Sequence, residues 1–150
     1  MSEQDRTLRF VQASEGRHFN VMGAAMTYKA TADETGGAYS LAVETTPPGG
    51  GLPLHVHHPE DEAMYILEGE YEIQCGEKVF RATQGVFVFV PRDTPNSYRN
   101  CGDTPGKFLY ITSPGGFEKL VAETSDLTAG GQPNMSQVQA VAQRHGVGFL

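Results

Sequence analysis

Eighteen glycines and nine prolines among 150 residues cut the middle of this chain into pieces too short for ordinary helices. The pieces are YSLAVETT (39–46), MYILEG (64–69), EYEIQC (70–75), KVFRA (78–82), VFVFV (86–90), NSYRN (96–100) and KFLYIT (107–112). They are rich in Val, Ile, Tyr, Phe and Thr, whose branched or flat side chains suit a pleated surface. Gly69-Glu70 and the stretch from Cys75 to Lys78 read as tight reversals, because glycine supplies the positive φ such turns require. Many short strands at regular spacing predict an all-β sandwich or barrel. PPGGG (47–51) reads as a corner between strands rather than a domain border.

The end of the chain differs. GFEKLVAET (116–124) and NMSQVQAVAQRHG (134–146) hold helix formers, with Val138, Val141 and Ala142 at helical spacing. Asn134 or Ser136 is placed to cap the second helix, and Gly146 to end it. TAGGQPN (128–134) is the one linker-like stretch and is too short to define a second domain. The length therefore predicts one domain over 1–150, a β core over about 30–112 and a helical tail over about 116–146. No internal repeat is evident.

Composition narrows the function. With 39% hydrophobic and 19% charged residues the chain has the make-up of a folded protein. A net charge of −7, with basic residues scattered rather than striped, argues against a nucleic-acid partner. The polar start MSEQDRTLRF lacks the apolar core of a signal peptide, and no apolar run is long enough for a membrane span. The expectation is a cytoplasmic protein with no membrane partner. Cys75 and Cys101 form no Cys-x-x-Cys pair and read as structural thiols.

One stretch stands apart: HVHHPEDE (55–62), with three imidazoles and three carboxylates in eight positions. His55 and His57 lie two apart, so on a strand both point to the same face. Pro59 favours a turn, after which Glu62 can return its carboxylate toward the same centre. Two histidines and a carboxylate on one side of a transition metal form a facial triad with open positions. Any one of these histidines alone is more often a solvated loop residue. His58, Glu60 and Asp61 lie in the turn itself and are expected to be solvated.

The spacing also carries a resemblance. Gly49, His55-Val56-His57, Glu62 and Gly69 resemble the first motif of the cupin superfamily. GVFVFVPRDTPNSYRN, with Gly85, Pro91 and Asn100, resembles the second. GGAYSLAVETTPPGG and the ending SPGGFEKL resemble single-domain cupins grouped with quercetin 2,3-dioxygenase. The resemblance implies a double-stranded β-helix, a jelly-roll barrel holding a divalent metal (Fe, Ni, Mn or Zn), and a homodimer. Two positions depart from the pattern. Asp93 stands where the family usually has glycine, though Asp tolerates left-handed backbone better than most residues. Asn96 stands where the fourth ligand, a histidine, is expected, and an amide oxygen is the weaker ligand for such metals.

Three outcomes stay open at this point. His55, His57 and Glu62 hold the metal, with Asn96 a weak fourth ligand or a hydrogen-bond donor. Or the metal is lost, and the same residues serve as acid and base in an isomerase or cyclase. Or the barrel only binds a ligand. The first is favoured, since little else would keep two imidazoles and a carboxylate together in an apolar barrel. Met64 and Ile66 continue the face of Glu62 and Tyr98 that of Asn96, so these three are expected to line a substrate pocket. Such a pocket suits a small aromatic or polyketide-like substrate, and a dioxygenase-type reaction in which Glu62 also acts as base.

Overall fold

The computed structural model describes residues 7–129 and 134–150. Its strands are β1 (Arg17–Val21), β2 (Ala24–Ala30), β3 (Ser40–Thr46), β4 (Gly51–His57), β5 (Asp61–Glu68), β6 (Tyr71–Cys75), β7 (Lys78–Ala82), β8 (Phe87–Val90), β9 (Asn96–Asn100), β10 (Gly106–Ser113) and β11 (Val147–Phe149). Its helices are α1 (Ala32–Thr35), α2 (Phe117–Thr128) and α3 (Met135–Arg144).

The strands form two antiparallel sheets. One has the order β1-β2-β3-β10-β5-β8, the other β11-β4-β9-β6-β7. Neighbours distant in sequence pair with each other, as when β10 lies between β3 and β5. The core lies between the layers. Met26, Ala42, Met64, Ile66, Phe108 and Tyr110 come from the six-stranded sheet and meet Tyr71, Ile73 and Ala82 from the other. This is the barrel that the short strands predict.

Alternation decides what each strand sends inward. On β10 the buried set is Gly106, Phe108, Tyr110 and Thr112. On β8 it is Val88 and Val90, while Phe87 and Phe89 point out at 61% and 55% exposed. On β3 the buried set is Ser40, Ala42, Glu44 and Thr46, and the more apolar Leu41 and Val43 face outward. That inversion puts a carboxyl group, Glu44, inside the barrel.

Strands β1, β2 and β11 and the one-turn α1 add to the strands read from the sequence. The β1–β2 hairpin turns through Met22 and Gly23, both at positive φ, which matches the twist of the strands it joins. Asn134 is the cap of α3, its side chain accepting from the backbone N–H groups of Ser136 and Gln137 at 3.0 and 3.3 Å. Gly146 follows the helix at φ 79°, and a Cβ there would lie 2.6 Å from Pro59 Cγ. Of the linker-like TAGGQPN, residues 130–133 lie outside the described residues. Cys75 and Cys101 are both free thiols.

Candidate metal centre

Strand β4 delivers His55 and His57 to the barrel interior, each only 2% exposed. The turn at Pro59 then brings β5 alongside the opposite sheet with Glu62 on its inner face, 5% exposed. One ligand atom from each of the three residues lies within 4.8 Å of the other two. Among the described residues this is the one group of three or more His, Cys, Asp or Glu side chains so arranged.

The hydrogen bonds fix which atoms face the centre. His55 Nδ1 donates to the Pro53 carbonyl at 2.8 Å. His57 Nδ1 donates to Glu60 Oε1 at 2.7 Å. With both Nδ1 atoms committed, both Nε2 atoms are left for the centre, and His57 Nε2 lies 3.0 Å from Glu62 Oε1. Metal-binding histidines are commonly held in this way, one ring nitrogen donating to a carboxylate or carbonyl and the other free for the ion. Two imidazole nitrogens and one carboxylate form a donor set that fits a divalent transition metal.

Glu62 is braced on both oxygens. The Tyr110 hydroxyl donates to Oε1 and the Asn96 amide donates to Oε2 at 3.2 Å. Asn96 thus reaches the centre from β9, as its place in the second motif requires, and stands as a hydrogen-bond donor to Glu62. Asp93 takes φ 66°, and its N–H donates to the His57 carbonyl at 2.8 Å, so the turn without glycine still adopts the left-handed form.

The expectation for Glu60 is corrected. It is 6% exposed rather than solvated, because the Pro59 turn folds its side chain back onto His57. His58 does face solvent, paired with Asp93 at 2.6 Å, while Asp61 is half-buried and held by Arg92. The pocket residues also divide. Met64 and Tyr98 line the cavity. Ile66 does not: it lies four residues beyond Glu62, about 13 Å along the strand, fully buried in the core.

Charge is distributed unevenly around the centre. Burial opposes protonation of His57, yet its hydrogen bonds to Glu60 and Glu62 prevail and raise its pKa to about 9. Burial and the neighbouring His57 charge together lower that of His55. Glu62 would be raised by burial, but His57 and Tyr110 overcome this and hold it below the usual range. Burial, then the Glu62 charge, pushes the Tyr110 hydroxyl well up, so it stays a donor.

The triad forms one end of a cavity of about 70 Å³. Val21, Ala24, Met26, Leu52, Met64 and Val90 make most of its barrel wall. The helical tail forms its cover, with Phe117, Leu120 and Thr124 from α2, Val138 and Ala142 from α3, and Phe149 from β11. Phe117 and Phe149 lie against the imidazoles, with ring centroids 5.0 Å from His57 and 6.2 Å from His55. Glu44 also faces this cavity and accepts a hydrogen bond from the Tyr98 hydroxyl at 2.8 Å. Its burial raises it to about 7. Glu44 and Tyr110 are polar groups of the site that the sequence reading passed over, and Glu60 is one that it placed in solvent. Only Glu60 had a local signal, its position three residues after His57.

Comparison with known proteins agrees with this geometry. Residues 42–112 match the family model described as Cupin domain. An uncharacterized protein of Methanocaldococcus jannaschii is 33% identical over 75 residues, covering 50% of this chain and 60% of that one. Quercetin 2,3-dioxygenase of Bacillus subtilis is 26% identical over 89 residues, 59% of this chain but 26% of that protein. The match thus spans 60% of the first relative's length and 26% of the second's, less than two thirds of either. Among solved structures, a predicted oxalate decarboxylase from Thermotoga maritima superposes with a TM-score of 0.64 at 26% identity, covering 71% of this chain and 99% of that one. The motif spacing, the two-sheet barrel and these matches converge: the chain carries a cupin domain over residues 42–112.

Proposed function

We propose that this protein is a divalent-metal-dependent enzyme of the dioxygenase type, acting on a small oxygen-bearing organic substrate. The observation that carries this reading is the convergence of His55, His57 and Glu62 at the buried end of an apolar cavity, with both Nε2 atoms facing inward. A bound Fe, Ni, Mn or Zn ion would supply Lewis-acid polarisation of a substrate oxygen and, for the redox-active members, a path for electrons to O₂. His55, His57 and Glu62 are its ligands in this reading. Glu60 keeps the His57 ring in orientation, and Asn96 and Tyr110 hold the carboxylate of Glu62 in place. Glu62, kept ionised by His57, is also the base that takes the proton of a substrate hydroxyl. The helical cover excludes water from the reaction.

Size restricts the substrate. A water needs roughly 10–15 Å³ of such space, so a cavity of about 70 Å³ takes a molecule with few non-hydrogen atoms. A single aromatic ring or a short polyketide-like fragment fits this limit better than a fused ring system. The distant likeness to quercetin 2,3-dioxygenase supports the reaction type. The test is elemental analysis of the purified protein, followed by oxygen uptake with candidate substrates. About one equivalent of transition metal per chain and metal-dependent oxygen uptake are expected. No bound metal, and none taken up on adding Fe, Ni or Mn, would remove this reading.

A second reading, a non-oxidative isomerase or cyclase, draws on the direct contact of an ionised Glu62 with a protonated Tyr110. Turnover that persists in chelator and without oxygen would select it.

The homodimer is included in the proposal. Tyr65 and Phe87 pair across β5 and β8 and point outward at 42% and 61% exposed, beside Phe89 on the edge of the six-stranded sheet. Exposed aromatic patches at an open sheet edge suit a second copy of the same face. Phe87→Glu should shift the protein to monomer in sedimentation; an unchanged dimer would place the interface elsewhere, and a monomeric parent would remove it.

A further inference from the structure

The cavity has a second polar station, away from the triad. Glu44 lies on β3 beside Met26 of β2 and Phe108 of β10. Along the strands it sits in register with Ile66 rather than Glu62, since Phe108 pairs with both Glu44 and Ile66. That is an offset of about 13 Å in backbone position from the metal-facing carboxylate. Glu44 is 4% exposed, and Oε1 is occupied by the Tyr98 hydroxyl. Among the described residues Oε2 has no hydrogen-bond partner, while the side chain faces the cavity. A second polar atom on the same lining is also unsatisfied: Thr124 Oγ1, in a residue 1% exposed.

We propose that Glu44, oriented by Tyr98, is a substrate-binding residue that donates a hydrogen bond from Oε2 to a carbonyl oxygen of the ligand. The proposal deepens the reading of the cavity as a substrate site, and rests on it. A carboxyl oxygen that faces an apolar cavity without a partner marks where a ligand's polar atom belongs. The groups that act on Glu44 are Tyr98 from β9, Tyr28 from β2, Tyr71 from β6 and the carboxylate of Glu62 from β5. No cation is among them. Burial and the Glu62 charge therefore keep a proton on Glu44 up to about pH 7, against the opposing pull of the Tyr98 hydrogen bond. A protonated carboxyl needs an acceptor, and among the described residues Oε2 has none. A neutral carbonyl provides one. An anionic group does not suit this end, because it would face Glu44 once the proton leaves. The ligand class is thus a small molecule that presents a neutral carbonyl to Glu44.

The probe is cyclopentanone labelled with ¹³C at the carbonyl, a ketone that does not titrate, observed by NMR with the whole protein. For the parent the bound carbonyl resonance should move downfield at pH 6 and return as pH rises through about 7. Affinity should fall up to about fivefold by pH 8, the worth of one hydrogen bond of average strength. Glu44→Gln keeps the shape and should abolish the pH step, while Glu44→Asp should restore some of it. A bound resonance with the same pH profile in the parent and in Glu44→Gln overturns the proposal. So does failure of the ketone to bind at millimolar concentration. Metal content, measured on the same samples, separates this result from the fate of the metal reading. A parent with no metal and a Glu44-dependent step overturns the metal reading alone, and a metal-bound parent with no step overturns the proposal alone.

Discussion

Glu62 and Glu44 are two carboxyl groups of one cavity, buried to the same degree, that their surroundings push in opposite directions. Glu62 touches an imidazole, a phenol and an amide, all donors, and is held ionised. Glu44 touches one phenol and otherwise hydrocarbon, and is raised to about 7. Burial alone predicts neither outcome. The number and charge of the donors decide which carboxyl stays ionised and which keeps a proton near neutrality.

Substitution can break this contrast, and the largest effect is expected at Glu62. Glu62→Gln should destabilise the metal-free protein by about 3 kcal/mol at pH 7, because it strips a buried partner from the His57 imidazolium. Denaturant unfolding measures this, and an unchanged midpoint would show that the pair is not formed. Glu44→Gln should act in the opposite sense, and its effect depends on pH. Between the ordinary value of 4.5 and about 7 the folded protein keeps a proton that the unfolded chain has lost, so stability drains away as pH rises through that window. Glutamine does not titrate. Relative to the parent the variant should therefore gain on the order of 3 kcal/mol between pH 5 and pH 8, from 1.36 kcal/mol per pKa unit. A pH-independent difference would mean that Glu44 titrates normally.

Smaller effects sharpen the contrast. Glu60→Gln should weaken metal binding by about 10- to 100-fold with little change in fold, the usual consequence of losing the carboxylate behind a ligating histidine. A competition titration with a chromophoric chelator reads this directly. Tyr98→Phe removes the single donor to Glu44 and should cost about 1 kcal/mol, while moving the Glu44 titration to higher pH. If that titration instead moves down, the Tyr98 hydroxyl is not donating to Glu44.

The region of the molecule legible in the sequence is the one where local signals suffice. Apart from β4, GLPLHVH, the strands from Ser40 to Ser113 are readable because turn residues bound them and β-branched or aromatic residues fill them. NSYRN and KVFRA match β9 and β7 residue for residue. Strand β2 is not readable, since AAMTYKA is as compatible with a helix as with a strand, and it forms only because β1 and β3 flank it. Strand β11 is three residues long and exists by pairing with β4.

The site divides the same way. His55, His57 and Glu62 can be found because strand spacing and one turn bring them together. Glu60 is misjudged because nearness to Pro59 signals exposure, while the fold of that turn lays the side chain against His57. Ile66 shares a face with Glu62 and Met64, but alternation gives direction without depth. Glu44 is invisible for two reasons. Its partner Tyr98 lies 54 positions away, and β3 buries its more polar alternate set.

The pairing of β11 with β4 has a consequence for how the site matures. Val147 lies opposite His57 and Phe149 opposite His55, so the histidine strand gains one of its two neighbours from residues near the far end of the sequence. Such long-range pairing is slow to form. Alignment of the imidazoles and closure of the cover should therefore be late, coincident events in refolding, with the ability to retain metal emerging only when Phe149 becomes protected.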